Sequence, residues 1–131
     1  MKKTELLNAD ISAAVAMMGH TDMLAIGDCG LPIPDSTVRI DLALKKGVPG
    51  FLETLETVLT ELCVEKVTIA AEILEKNTEL YHRLTEIFED IEIVTVSHEE
   101  FKELTRRCVA VVRTGEYKPY ANIILHSGVT F

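Results

Sequence analysis

Three short stretches of the chain gather the side chains suited to moving protons or gripping hydroxyl groups. The first is "GHTDMLAIGDCGLPIP", residues 19–34, which carries His20, Asp22 and Asp28. The second is "VSHEE", residues 96–100, with His98. The third is "RTGEYKPYANI", residues 113–123, with Arg113, Tyr117, Tyr120 and Asn122. Imidazole changes charge near neutral pH, so His20 is a natural proton carrier and Asp28 a group that could orient or charge-balance it. By spacing alone, His20 could equally close a helix against its dipole, with Asp28 capping its own loop. A His at a helix N-terminus is disfavoured as imidazolium, so His98 would stay neutral and offer one donor and one acceptor. It could also be a solvated residue in a capped first turn. If Tyr120 and Asn122 open a strand, they share a face and can grip a polyol together. The bland alternative is an edge Tyr and a turn Asn. His82 reads as a solvated or packed helix residue, and His126, inside "IILHSG", as core or interface.

These stretches need elements to position them. Asn8 or Asp10 can cap a helix running to about Met18, with Ile11, Ala14, Val15 and Met18 on one face and Gly19 as its stop. "MLAIGD" fits a buried strand. "GLPIPDS" cannot continue a regular element, because Pro32 and Pro34 remove donors and fix φ. "TVRIDLAL" holds a further short strand or irregular segment. Pro49 suits the first turn of a helix whose apolar face is Phe51, Leu52, Leu55, Val58, Leu59 and Leu62. "VEKVTIAAEI" reads as a strand and "NTELYHRLTEIFED" as a helix capped by Asn77, with Leu80, Leu84, Ile87 and Phe88 inward. "IEIVTV" is a strand, Ser97 and Glu100 form a capping box for the next helix, and "VAVVRTG" and "YANIILHSG" are the last two strands. Helices alternating with β-rich runs predict a single α/β layered domain over residues 1–131 with a mixed or largely parallel sheet. In such folds ligands sit at strand ends and the loops beyond them.

Composition narrows the partners. A net charge of −8 repels phosphate backbones, so nucleic acid is a poor partner. No run of about 18 apolar residues is present to span a membrane, and the N-terminal "MKKTELLNADIS" lacks the apolar core of a signal peptide. Hydrophobic residues make up 47% of the chain, rich for so small a domain, which predicts burial against further subunits. Cys29, Cys63 and Cys108 are odd in number and far apart, so reduced thiols in a cytoplasmic protein are the simple reading. Glycine-rich nucleotide loops and nucleophile elbows are missing, and the His spacing does not suggest a metal site. An adjacent carboxylate argues against Cys29 as a nucleophile.

"LNADISAAVAMMGHTDMLAIGDCGLPIP", "RIDLAL", "GVPGF" and the closing "YANIILHSGVTF" resemble, in order, the D-ribose pyranase family, whose relative is the L-fucose mutarotase family. The resemblance runs from "MKKTELLN" to Phe131; roughly Glu53 to Glu92 carries little motif content. It implies a three-layer αβα fold and a cytoplasmic enzyme that interconverts the β-pyranose and β-furanose forms of D-ribose without cofactor or metal. It also implies a ring-like homo-oligomer, a decamer of two pentamers, with sites near subunit contacts. His20 matches the family's proton donor, and Asp28, His98, Tyr120, Ala121 and Asn122 its sugar-binding positions. The expected chemistry is protonation of the ring oxygen by His20, release of the aldehyde, and closure through a different hydroxyl. A mutarotase for L-fucose or another aldose, and a sugar-binding protein without catalysis, are the competing expectations.

Overall fold

The computed structural model describes residues 1–131. Six strands form one sheet in the order β2-β5-β1-β6-β3-β4: β1 (Met23–Gly27), β2 (Val38–Asp41), β3 (Val64–Ala70), β4 (Glu92–Val96), β5 (Ala110–Arg113) and β6 (Ile123–Ser127). β1 pairs in parallel with β5, β5 with β2, and β3 with β4, while β6 runs antiparallel between β1 and β3. The sheet is therefore mixed and largely parallel, as expected.

β1 shows why its sequence is a continuous apolar run. Leu24 and Ile26 face the larger core and Met23 and Ala25 the smaller one, so both sides of the strand are covered. The larger core is closed by α1 (Ala9–Met17) through Ile11 and Ala14, by α2 (Phe51–Leu59) through Phe51, Leu55 and Val58, and by α4 (Thr78–Ile87) through Leu80 and Leu84. A short helix, α3 (Ile73–Lys76), precedes α4. On the other face a single helix, α5 (His98–Leu104), buries Phe101 against Ala25, Ala70, Val111 and Ile124. The result is αβα, with unequal outer layers. None of the helices is long and apolar enough to cross a membrane.

Most local signals act as their residue types imply, with exceptions that have physical causes. Asn8 caps α1 by accepting the Ile11 N–H, and Ser97 caps α5 by accepting the Glu100 N–H. Gly19 is not the residue that stops α1: Met18 ends it in an extended conformation, and the left-handed residue is Thr21, at φ 71°. Pro49 lies outside α2, before its N-cap Gly50. β3 ends at Ala70 and not at Ile73, because the chain turns into α3. Asn77 does occupy the N-cap of α4, but its amide donates to the Pro119 carbonyl instead of capping the helix.

His126 yields a pH prediction. Its Nε2 lies 2.9 Å from the Thr68 hydroxyl, and partial burial, aided by Lys66, holds its pKa below the ordinary value. Glu61 and Glu72 are held below theirs, Glu61 by the Thr4 hydroxyl and Lys2, Glu72 by its own N–H and that of His98. The stability tied to neutral His126 is complete above its ordinary pKa of 6.5 and is lost as pH falls below it. The carboxylate contributions persist down to their ordinary value of 4.5 and decline only below it. Melting temperatures measured between about pH 7.5 and about pH 5 should therefore fall, and His126→Gln should flatten that decline. An unchanged slope in the variant would assign the decline to other groups.

Candidate functional site

The carboxyl ends of the parallel strands and the entry to β6 bring four of the expected residues to one edge of the sheet. Asp28 follows β1, His98 follows β4, and Tyr120 and Asn122 precede β6. Asp28 and Asn122 are locked reciprocally. The Asp28 N–H donates to Asn122 Oδ1 at 2.9 Å, and Asn122 Nδ2 donates to Asp28 Oδ2 at 2.9 Å. The Gly30 N–H donates to Asp28 Oδ1 at 2.8 Å, closing the loop on itself. Gly27 makes room for this pair: a Cβ there would lie 2.9 Å from Asn122 Oδ1 and 2.6 Å from Leu31 Cδ2.

The surrounding loops are tied down by side chains. Arg113 donates from Nε to the Cys29 carbonyl and from Nη1 to the Asp41 carboxylate. The Thr114 hydroxyl donates to the Gly27 carbonyl. Glu116 accepts from the N–H groups of Tyr117 and Lys118 with Oε1 and from Phe51 with Oε2, which anchors the approach to Tyr120 onto α2.

His98 and Tyr120 form a second wall. Their rings meet edge to face at 5.2 Å between centroids, and the His98 ring stacks over Phe101 at 6.5 Å and 10°. Glu72, at the N-cap of α3 just beyond β3, accepts the His98 N–H with both carboxylate oxygens at 3.1 Å. His98 Nδ1 is buried and has no hydrogen-bond partner in the chain.

Tyr120 and Asn122 are not in a strand. Tyr120 sits in the left-handed region at φ 56°, a backbone cost that functional turns often carry. The alternation expected of a strand does not apply here, so the turn and not the pleat sends Tyr120 to His98 and Asn122 to Asp28. Ala121 is fully buried and bounds a cavity of 460 Å³ between α2 and α4 that Asp28, His98, Tyr120 and Asn122 do not line.

His20 lies elsewhere. It precedes β1, whereas Asp28 follows it, so about 17 Å of strand separates them. Within one chain Asp28 does not orient His20. The nearest partner of His20 is Glu65, with Nε2 to Oε2 at 2.9 Å. His82 is exposed on α4, and no group of three His, Cys, Asp or Glu side chains converges within the chain to hold a metal ion. All three cysteines are free, and burial pushes the Cys108 thiol up to about 12. Glu65 and Glu72 were not foreseen from the sequence.

Residues 1–130 match the RbsD / FucU transport protein family. The chain belongs to that family. A curated relative named D-ribose pyranase, from Clostridium perfringens strain SM101, is 61% identical over 131 residues, covering all of both chains. The structure of Bacillus subtilis RbsD complexed with D-ribose superposes with a TM-score of 0.97 at 49% identity, again over all of both chains. The fucose mutarotase of Streptococcus pneumoniae, solved in complex with L-fucose, shares the fold at a TM-score of 0.79 and 23% identity, also over the full length of both.

Removing the Asn122 amide tests how much the locked pair matters. Asn122 is 1% exposed, so Asn122→Ala strands the Asp28 N–H and one carboxylate oxygen. The expected loss is about 1–3 kcal/mol of stability together with weaker sugar binding. Thermal melts and sugar titration check both; a variant that melts and binds like the parent would show that Asp28 is held without Asn122.

Proposed function

We propose that the chain interconverts the pyranose and furanose forms of D-ribose by acid–base ring opening and reclosure, at a site completed by two copies of the chain. The observation that carries the reading is the Asp28–Asn122 pair beside the His98–Tyr120 wall, in a chain 61% identical to a curated D-ribose pyranase.

The geometry supports the following division of labour. Asp28, Asn122, His98 and Tyr120 bind the sugar hydroxyls at the carboxyl edge of the sheet. His20 of another copy supplies the proton. On opening, His20 protonates the pyranose ring oxygen while the anomeric hydroxyl gives its proton to the Asp28 carboxylate. The C1–ring-oxygen bond breaks and C1 becomes the aldehyde. On closure the C4 hydroxyl attacks C1 and loses its proton to His20, and Asp28 returns a proton to the aldehyde oxygen. Protons balance and no oxidation occurs.

Exposed apolar side chains and the placement of His20 support a site shared between copies. Met17, Leu44 and Val38 are 73%, 79% and 61% exposed in the isolated chain, and His20 lies at the opposite end of β1 from its own Asp28. A ring-like homo-oligomer, a decamer of two pentamers, is the assembly we propose, acting on free sugar in the cytoplasm. The test is exchange between ribose ring forms by NMR saturation transfer, with and without protein, and with L-fucose in parallel. Accelerated pyranose–furanose exchange supports the reading. Binding without acceleration would make the chain a sugar-binding protein, and acceleration confined to fucose would move the substrate.

A further inference from the structure

We propose that Glu65 is a positioning residue for His20, holding the ring so that Nε2 keeps a proton facing the carboxylate and Nδ1 is the nitrogen that exchanges a proton with the substrate. This rests on His20 being the proton carrier.

The turn that bears His20 is fixed by backbone hydrogen bonds and by the Asp22 carboxylate. The Gly19 N–H donates to Asp22 Oδ2 at 2.8 Å. The Thr21 N–H donates to the Ser127 carbonyl at 2.9 Å, and the Ser127 N–H to the Asp22 carbonyl at 2.8 Å. With Thr21 in the left-handed region, residues 19–22 have little freedom left. What remains loose is the imidazole itself, which is 52% exposed. Glu65 is the side chain that restrains it.

Glu65 is placed for this by an irregularity in the sheet. The pairing of β3 with β6 shifts between Val64 and Lys66: Val64 opposes Ser127 and Lys66 opposes His126, so Glu65 has no partner in the register. Such bulges re-aim one side chain out of the pleat and are common beside active sites. Gly128 lies against the re-aimed residue: a Cβ at Gly128 would come 3.1 Å from the Glu65 Cβ. The strand that pins the His20 turn through Ser127 therefore also seats Glu65.

Folding stability does not account for the pair. His20 and Glu65 are about half exposed, and exposed ion pairs contribute little. The chemical consequence is specific. A carboxylate only accepts, so the neutral ring must keep its proton on Nε2 and present a lone pair at Nδ1. The proton given to the sugar ring oxygen then leaves from Nδ1, and the proton taken from the closing hydroxyl arrives there. This is the tautomer-setting role a carboxylate plays behind a catalytic His.

The test combines a spectroscopic and a kinetic readout on the full-length protein. Two-bond proton–nitrogen correlation spectra of protein labelled with ¹⁵N-histidine report which nitrogen of His20 is protonated when the ring is neutral, the signal being assigned by its loss in His20→Gln. The wild-type ring is expected as the Nε2–H tautomer. Glu65→Gln should populate the Nδ1–H form and lower kcat about 10–100-fold with KM nearly unchanged. Glu65→Asp should recover part of the tautomer bias. An Nδ1–H ring in the wild type, or a tautomer and kcat unmoved in Glu65→Gln, overturns the proposal. If His20→Ala retains full rate, the proton-carrier reading fails first; if His20→Ala is inactive and Glu65→Gln is unchanged, only the role of Glu65 fails.

Discussion

His20→Ala should leave the fold intact and remove nearly all acceleration of ribose ring exchange, a drop of about 10²–10⁴-fold, the range a positioned acid–base group supplies. The fold should survive because the imidazole is half exposed and no core residue rests on it. Asp28→Ala should be comparably inactive, for a different reason: the sugar loses its carboxylate and the Asn122 Nδ2 group its acceptor. The informative experiment mixes the two. Because β1 holds His20 and Asp28 at its opposite ends, a site assembled between copies can draw His20 from the Asp28→Ala chain and Asp28 from the His20→Ala chain. Dissociating the two inactive proteins together and reassembling them should restore activity at about a quarter of the sites, if copies mix at random in a symmetric assembly. Either variant alone should stay inactive through the same treatment. Mixed assemblies without activity would mean that no site is shared, and His20 would have to act on substrate bound elsewhere in its own chain.

How much of this could be read in advance depended on the distance over which each feature is determined. Asn8, Ser97 and the apolar run of β1 act on their own neighbourhoods, and each does what its type and spacing implied. Asp28, His98, Tyr120 and Asn122 were picked out by type, and the topology brings them together because strand carboxyl ends share an edge. What failed was adjacency. A pairing of His20 with Asp28 reads naturally along eight residues of sequence, yet five of the residues between them form an extended strand. The turn at Tyr120 looked like a strand because "YANIIL" is apolar and β-prone, and only the positive φ at Tyr120 reveals otherwise. Glu65 and Glu72 were invisible among 21 acidic residues. Their partners are 45 and 26 residues away, and it is a register shift and a strand end that bring them together.

Phe101→Ala should be the most destabilising single truncation on the thinly covered face of the sheet, and it should reach the site. Phe101 is fully buried and is the largest member of a cluster of eight residues on the face covered by α5, with Met23, Ala25, Leu31, Ala70, Cys108, Val111 and Ile124. Losing it costs about 3–5 kcal/mol, because the surrounding sheet and loops can collapse only partly into the space. Against a total stability of about 5–15 kcal/mol this is a large share. The melting temperature should fall by roughly 10–20 °C. The same ring lies under His98, which then keeps only its edge contact with Tyr120 on the ring and the Ser97 cap and Glu72 carboxylate on the backbone. The sugar KM should therefore rise in Phe101→Ala even at temperatures where the protein remains folded. Phe88→Ala is the matched control, since Phe88 is 2% exposed in the opposite core and touches no site residue through a ring contact. It should lose comparable stability and keep its KM. Equal KM values for the two variants would show that α5 holds His98 without its aromatic support, and the link from the smaller core to the sugar would be withdrawn.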